Sequence, residues 1–410
     1  MLNSPRNPRF ICCHKELLMI KKIILIAGLA LALLGCKSED DSALRAQQRA
    51  DAISNEKRDI AYYLSQHYNL YSNSLQSTLN NDNLSVSIAD LVSDGQNPTL
   101  RSRVKQADET IRTLQGIEAF TDELLELRLA DGTMLKDLQQ GQLPLFAFEP
   151  KGNEQTWQFI EAFDIYGNTH QLDVYQLPSF PVFVVDNNSA KSLQAGLQAM
   201  RQELQKLGQQ PINQSDDLLS TSQARNLNVS NKSESQPLST TVLKKIRLED
   251  DKEPWILGKA EIYALVTGVD PSRDKPTIDV VDMPYLDYDK IDYYPNQVMI
   301  HWSRYRWGAV DIVLMEQDSG TDYKELAKLL VEAAEKVLQS IPDLEAQGYS
   351  VIANITGKII DAIPSGLLTN DDDFVDVFYT IQQDKPYIDH PGTTNNALVT
   401  LEPLTIYPTR

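Results

Sequence analysis

Gly208-Gln209-Gln210-Pro211-Ile212-Asn213-Gln214-Ser215-Asp216-Asp217 opens a run that stays rich in Gln, Asn and Ser as far as Thr240. Its 33 residues hold four leucines, one isoleucine and one valine. So little apolar surface cannot offset the entropy of ordering the chain, and the run reads as a flexible linker. It divides the sequence into an N-terminal part, 36–207, and a C-terminal part, 241–410. The fold class that follows is α+β: a helical N-terminal domain with a small β-sheet, the linker 208–240, and a C-terminal antiparallel β-sandwich with a two-helix insertion.

Upstream of the linker, Leu44, Ala50, Ile53, Ile60, Tyr63, Leu64, Tyr68 and Leu70 recur at three- and four-residue spacing, predicting one long helix or two shorter ones over 42–80. Val104, Ile111, Leu114, Ile117, Phe120, Leu124 and Leu127 predict a second helical stretch over 98–129. Around Asp131 the period changes to two. Leu143–Phe148, Trp157–Ile165 and Phe180–Val185 read as strands, Tyr166-Gly167-Asn168 as a hairpin turn, and 189–207 as a closing helix. Downstream, strands are predicted at Val242–Leu248, Ala260–Thr267, Gln297–Trp302, Ala309–Met315, Phe374–Ile381 and Ala397–Ile406, with helices over 322–340 and 346–363.

The N-terminus carries a different signal. Lys21 and Lys22 precede an apolar run from Ile23 to Leu34, which is too short to cross about 30 Å of hydrocarbon and fits the core of a signal peptide. It ends in Leu33-Leu34-Gly35-Cys36, which resembles the lipobox of bacterial lipoproteins. The resemblance implies cleavage after Gly35, a covalent diacylglycerol and acyl chain on Cys36, and anchoring to a membrane. Lys37 after the modified cysteine implies the outer membrane of the cell envelope. Residues 1–18 fit no part of a signal, and Met19 reads as the start of a conventional one.

Cleavage would remove Cys12 and Cys13, and lipidation would consume Cys36, leaving no thiol for a disulfide or a thiolate metal site. It would also remove five basic residues and one acidic, leaving 33 basic and 56 acidic groups, net −23. Such a surface repels nucleic acid and anionic lipid headgroups and favours cations.

The acids of the C-terminal part gather at predicted loops: Glu249-Asp250-Asp251, then Asp282, Asp287, Asp289 and Asp292, then Glu316, Asp318 and Asp322, then Asp371-Asp372-Asp373 with Asp376. Loops at one end of a sandwich could converge to give Ca²⁺ its six to eight oxygens. The same residues also suit turns and helix caps, where a short carboxylate accepts from nearby backbone N–H groups. None has the spacing of an EF-hand loop. Asp318-Ser319-Gly320 lacks the apolar flanks of an aspartic-protease turn, and His67, His170, His301 and His390 have no zinc-site spacing. Between Tyr285 and Trp307 aromatic residues alternate with charged ones, which suits either a glycan- or peptide-binding platform or core packing.

The strings Trp255–Tyr263, Val281–Asp289, Tyr293–Gln297 and Thr369–Tyr379 resemble an uncharacterised family of bacterial lipoproteins of about this length. That resemblance implies lipoprotein character and a two-part layout, with no ligand or catalytic residue. Two functions follow as expectations. The first is a non-enzymatic envelope lipoprotein whose acidic domain binds calcium and a protein or glycan partner. The second is a hydrolase using paired carboxylates among Asp282, Asp287, Asp289 and Glu316.

Overall fold

The computed structural model describes residues 44–93, 97–152, 154–210, 237–250, 254–272, 274–317, 320–363 and 374–407. The signal segment with Leu33, Leu34, Gly35 and Cys36 lies outside the described residues, as does 211–236 of the linker.

The helical pattern near the N-terminus resolves into two helices, α1 over 44–66 and α2 over Tyr68–Thr78, broken at His67. The face of α1 that is buried carries Ala46, Ile53, Ile60, Ala61 and Leu64, while Leu44 and Tyr63 point outward. A short β1 (Ser85–Ser87) and a one-turn α3 (Ile88–Leu91) lead to α4 (Pro98–Leu114), capped by Asn97 accepting from Leu100 N–H. Here the structure corrects the sequence reading. The expected helix over 98–129 ends at Leu114, and Gly116 turns the chain with φ +69°. Leu125–Leu129 is then a strand, β2, whose leucines alternate inward.

After a one-turn α5 (Leu135–Gln139) come β3 (Leu145–Phe148), β4 (Ile160–Phe163), β5 (Thr169–Leu172), β6 (Val182–Asn187) and α6 (Ser189–Lys206). The hairpin between β4 and β5 turns at Gly167 (φ +85°), and Asp164 accepts from the N–H groups of Tyr166 and Asn168. The sheet has the order β1-β2-β6-β3-β4-β5, antiparallel except for the parallel β3–β6 pair.

The C-terminal part begins earlier than expected. Residues 238–240, read as linker, already belong to β7 (Leu238–Leu248), because they pair with the far end of the last strand. There follow β8 (Ile262–Val269), β9 (Pro276–Asp282), β10 (Gln297–His301) and β11 (Ala309–Glu316). Helices α7 (Tyr323–Ser340), α8 (Leu344–Gln347) and α9 (Ser350–Ala362) intervene before β12 (Phe374–Gln382), β13 (Tyr387–Pro391) and β14 (Ala397–Ile406). Two antiparallel sheets result, β10-β7-β14-β13 and β12-β11-β8-β9. The protein is thus a mixed helix and sheet fold with several antiparallel sheets.

The period-two pattern of β8 and β11 explains how these sheets stack. Ile262, Ala264, Val266, Ile312 and Leu314 share a core with Leu243, Ile246, Leu248, Val399 and Leu401 of the other sheet. The intervening Tyr263, Leu265, Val313 and Met315 face the opposite way, into a core built with α7, α9 and the whole N-terminal part. That second core is continuous from Ile53 to Val377. Helix α6 packs on α7, where Tyr323 lies flat over Gly196: a Cβ there would stand 2.2 Å from the ring.

Candidate functional site

A row of linked charges around one buried lysine lies where α1 crosses the N-terminal sheet. Lys57 sits at an apolar position of the α1 stripe, four residues after Ile53 and three before Ile60, and is 1% exposed. Its Nζ donates to Glu149 Oε2 at 2.8 Å and to Asp186 Oδ1 at 3.1 Å. Asp186 Oδ2 in turn accepts from Arg128 Nη2 at 3.0 Å, and the same nitrogen donates to the carbonyl of Ile256 at 2.8 Å. The strand order places these groups side by side. Arg128 is on β2, Asp186 on β6 and Glu149 just past β3, three neighbouring strands.

Burial opposes the charged forms of Lys57 and Asp186, yet the pairing prevails. Burial alone would lower the Lys57 pKa, but Glu149 and Asp186 hold it above the ordinary lysine range. Burial would raise Asp186, and Lys57 with Arg128 holds it below the ordinary carboxylate range. At the edge of the row the balance reverses. Burial pushes Glu261 up to about 8, opposed by a Ser189 hydrogen bond and reinforced by the charge of Asp186. Gly258 (φ +98°) permits this junction, because a Cβ would stand 3.1 Å from the Arg128 guanidinium.

The row fixes one wall of an open groove of about 420 Å³. The loop after β3 is tied to α1 by Ser54 Oγ donating to the Glu149 carbonyl and by Gly152 N–H donating to Asp51. Trp157 Nε1 donates to the carbonyls of Lys151 and Gly152, so its ring stands as a rigid panel. Arg58, next to Lys57, crosses the floor: its Nε and Nη2 donate to both oxygens of Glu161, and its guanidinium lies 5.2 Å from the Phe163 ring centroid. Phe159 (42% exposed) and Lys151 complete the rim. A volume in the ~300–1,000 Å³ range of small-ligand sites, aromatic walls and a few fixed polar groups suit a binding groove.

The acids singled out in sequence lie elsewhere; Glu249 and Asp292 share Arg247, and Asp250 and Asp376 share Asn396. Glu249 accepts from Arg247 at 2.8 Å, Asp287 from Lys259 at 2.8 Å, and Asp289 from Lys290. Asp250 exchanges backbone hydrogen bonds with the Asn396 side chain. Asp282 ends β9, its pKa raised by burial although Arg201 opposes this. Glu316 is the buried last residue of β11. Asp322 caps α7, and Asp376 accepts four backbone N–H groups. Asp251, Asp318 and Asp371–Asp373 lie outside the described residues. Among the described residues no three His, Cys, Asp or Glu side chains are arranged to hold a metal ion.

The aromatic stretch divides as well. Trp302 and Tyr305 are core residues, whereas Tyr288 and Tyr294 are exposed. Tyr305 and the bidentate Arg304 both hold Asp279, which is 1% exposed inside β9. The sequence reading missed Lys57, Asp186, Arg128 and Glu149 because they come from four separate elements with no shared motif. One signal was available: a lysine in the apolar stripe of a helix.

The sequence profile of one family, described as protein of unknown function (DUF3103), matches residues 57–409. No curated protein and no solved structure matches the chain.

Proposed function

The chain belongs to this family of proteins of unknown function, and from its groove and its N-terminal sequence we propose a lipid-anchored cell-envelope protein with a non-enzymatic, ligand-holding role. The observation that carries the ligand-holding part is the groove whose floor is the Arg58–Glu161 pair and whose wall is locked through Lys57. A site built on rigid elements with its polar groups already oriented loses little entropy on binding. The anchor rests on Lys21, Lys22 and the Leu33-Leu34-Gly35-Cys36 pattern, and the outer-membrane destination on Lys37. In this reading 36–207 contributes the groove and 241–410 the body that buttresses it.

The proposal includes no calcium site, because Glu249, Asp287 and Asp289 already face Arg247, Lys259 and Lys290. Nor does it take up the hydrolase, since Asp287 and Asp289 are each engaged by a separate lysine.

Two experiments test it. Expressed in a bacterial host with labelled palmitate, the chain incorporates label and sediments with outer membranes, and Cys36→Ser loses both. A wild-type chain recovered unlabelled in the soluble fraction overturns the anchor. For the groove, amine acylation of Lys151 is read by peptide mass mapping in intact envelopes and in purified protein. Protection in the envelope supports an occupied groove; equal labelling overturns it.

A further inference from the structure

The charge and shape of the groove identify its occupant more narrowly, if the ligand-holding reading is accepted. In a chain with 38 basic and 57 acidic residues, the groove inverts the balance, with Arg58 and Lys151 against Glu161 alone. Glu161 is already satisfied by two donors of Arg58, which leaves Arg58 Nη1 without a hydrogen bond among the described residues on a side chain 42% exposed. Lys151 forms no ion pair among the described residues. Two cationic donors therefore face solvent beside Trp157 and Phe159. The indole N–H is turned inward onto backbone carbonyls, so Trp157 offers the groove its ring and not a donor.

Flat apolar ring surface next to cations complements a ligand that is itself a ring with an apolar face and carries a negative group at its edge. A peptide would be expected to add to a free strand edge. The strand at this groove, β4, is already paired on both sides, by β3 and by β5. We infer that the groove between Trp157, Phe159, Arg58 and Lys151 is a binding site for an anionic saccharide, with the sugar ring against the aromatic residues and its carboxylate on Arg58 and Lys151.

The test is calorimetric titration of the detergent-solubilised full chain with a tetrameric oligogalacturonate, its fully methyl-esterified counterpart and an acidic peptide of equal charge. The expected result is binding of the acid at least about tenfold tighter than the ester. Lys151→Ala brings the two together, and Phe159→Ala weakens both. Trp157→Ala repeats the loss. Phe159, being exposed, serves where the Trp157 variant fails to fold. Equal binding of acid and ester, lost in Phe159→Ala, overturns the charge assignment while the groove stands. Tighter binding of the peptide, lost in the same variant, overturns the saccharide and keeps the ligand-holding role. Absence of binding by all three, or binding indifferent to Phe159→Ala, overturns this inference.

Discussion

The carboxylate of Asp376 occupies the space that a Cβ on Gly392 would need: such an atom would stand 2.1 Å from Asp376 Cγ. Asp376 is fully buried and accepts N–H groups of Val377 and Thr394 on one oxygen and of Asn396 and Ala397 on the other. It therefore shapes the whole turn between β13 and β14. Gly392→Ala is expected to cost about 3 kcal/mol by forcing that carboxylate off its donors. Gly357, inside α9, has nothing within 4 Å of its would-be Cβ, and Gly357→Ala should stabilise by roughly 0.5–1 kcal/mol. Urea unfolding of the two variants checks both signs at once.

Stability should fall as pH rises from about 4 to 6. Burial pushes Asp311, fully enclosed in β11, up to about 6, against the hydrogen bond from the Thr380 N–H. The folded state therefore keeps a proton that the unfolded chain, with the ordinary aspartate value of 3.8, has released. The unfolded state binds fewer protons in this window, so the folded state loses up to about 3 kcal/mol across it. Glu261 acts in the same direction between 4.5 and about 8. Asp164, which its slight burial would raise, is lowered to about 2 by hydrogen bonds from Asn168 and His170; it acts oppositely and only below pH 4. Asp311→Asn should flatten the lower window and Glu261→Gln the upper one, as read from melting temperatures at pH 4, 6 and 8.

Lys57→Met should destabilise by about 3–5 kcal/mol. The methionine fills the space, but Glu149 loses the ammonium of Lys57, and Asp186 is left with Arg128 and the Asn187 N–H. Adding Glu149→Gln to that variant should recover part of the loss, because it removes the negative charge that Lys57 no longer balances. A double-mutant cycle in which the two costs simply add would show that the row is not coupled.

Millimolar Ca²⁺ or EDTA should leave the melting temperature unchanged within about a degree. A cation that binds the folded state must raise it, and the described loop acids Glu249, Asp287 and Asp289 already have cationic partners. A rise of several degrees with calcium would direct attention to Asp251, Asp318 and Asp371–Asp373.

The long strands with alternating apolar residues were legible in the sequence, and so was α6. Residues 125–129 were not: Leu124 and Leu127 fit a helix spacing, and only pairing with β1 and β6 makes Leu125, Leu127 and Leu129 a strand. Pro276–Asp282 was missed because Pro276 and Asp279 look like loop residues. Asp279 is tolerated in a buried strand because Arg304, 25 residues away, meets it with two hydrogen bonds. Residues Tyr387–Pro391 were passed over in the same way. The groove and the charged row escaped entirely, since both are made by α1 lying across strands remote in sequence, a relation no local period encodes.

The core that runs unbroken from the N-terminal helices into β8, β11 and α7 has a practical corollary. Association of the parts depends on Tyr323 over Gly196, Arg128 on the Ile256 carbonyl and Gln317 on Ser192, none of which involves residues 211–236. Severing the backbone within that stretch should leave two polypeptides that migrate as one particle. Expressed from separate genes, the halves should find each other as a split protein does, with groove and buttress restored only on reunion.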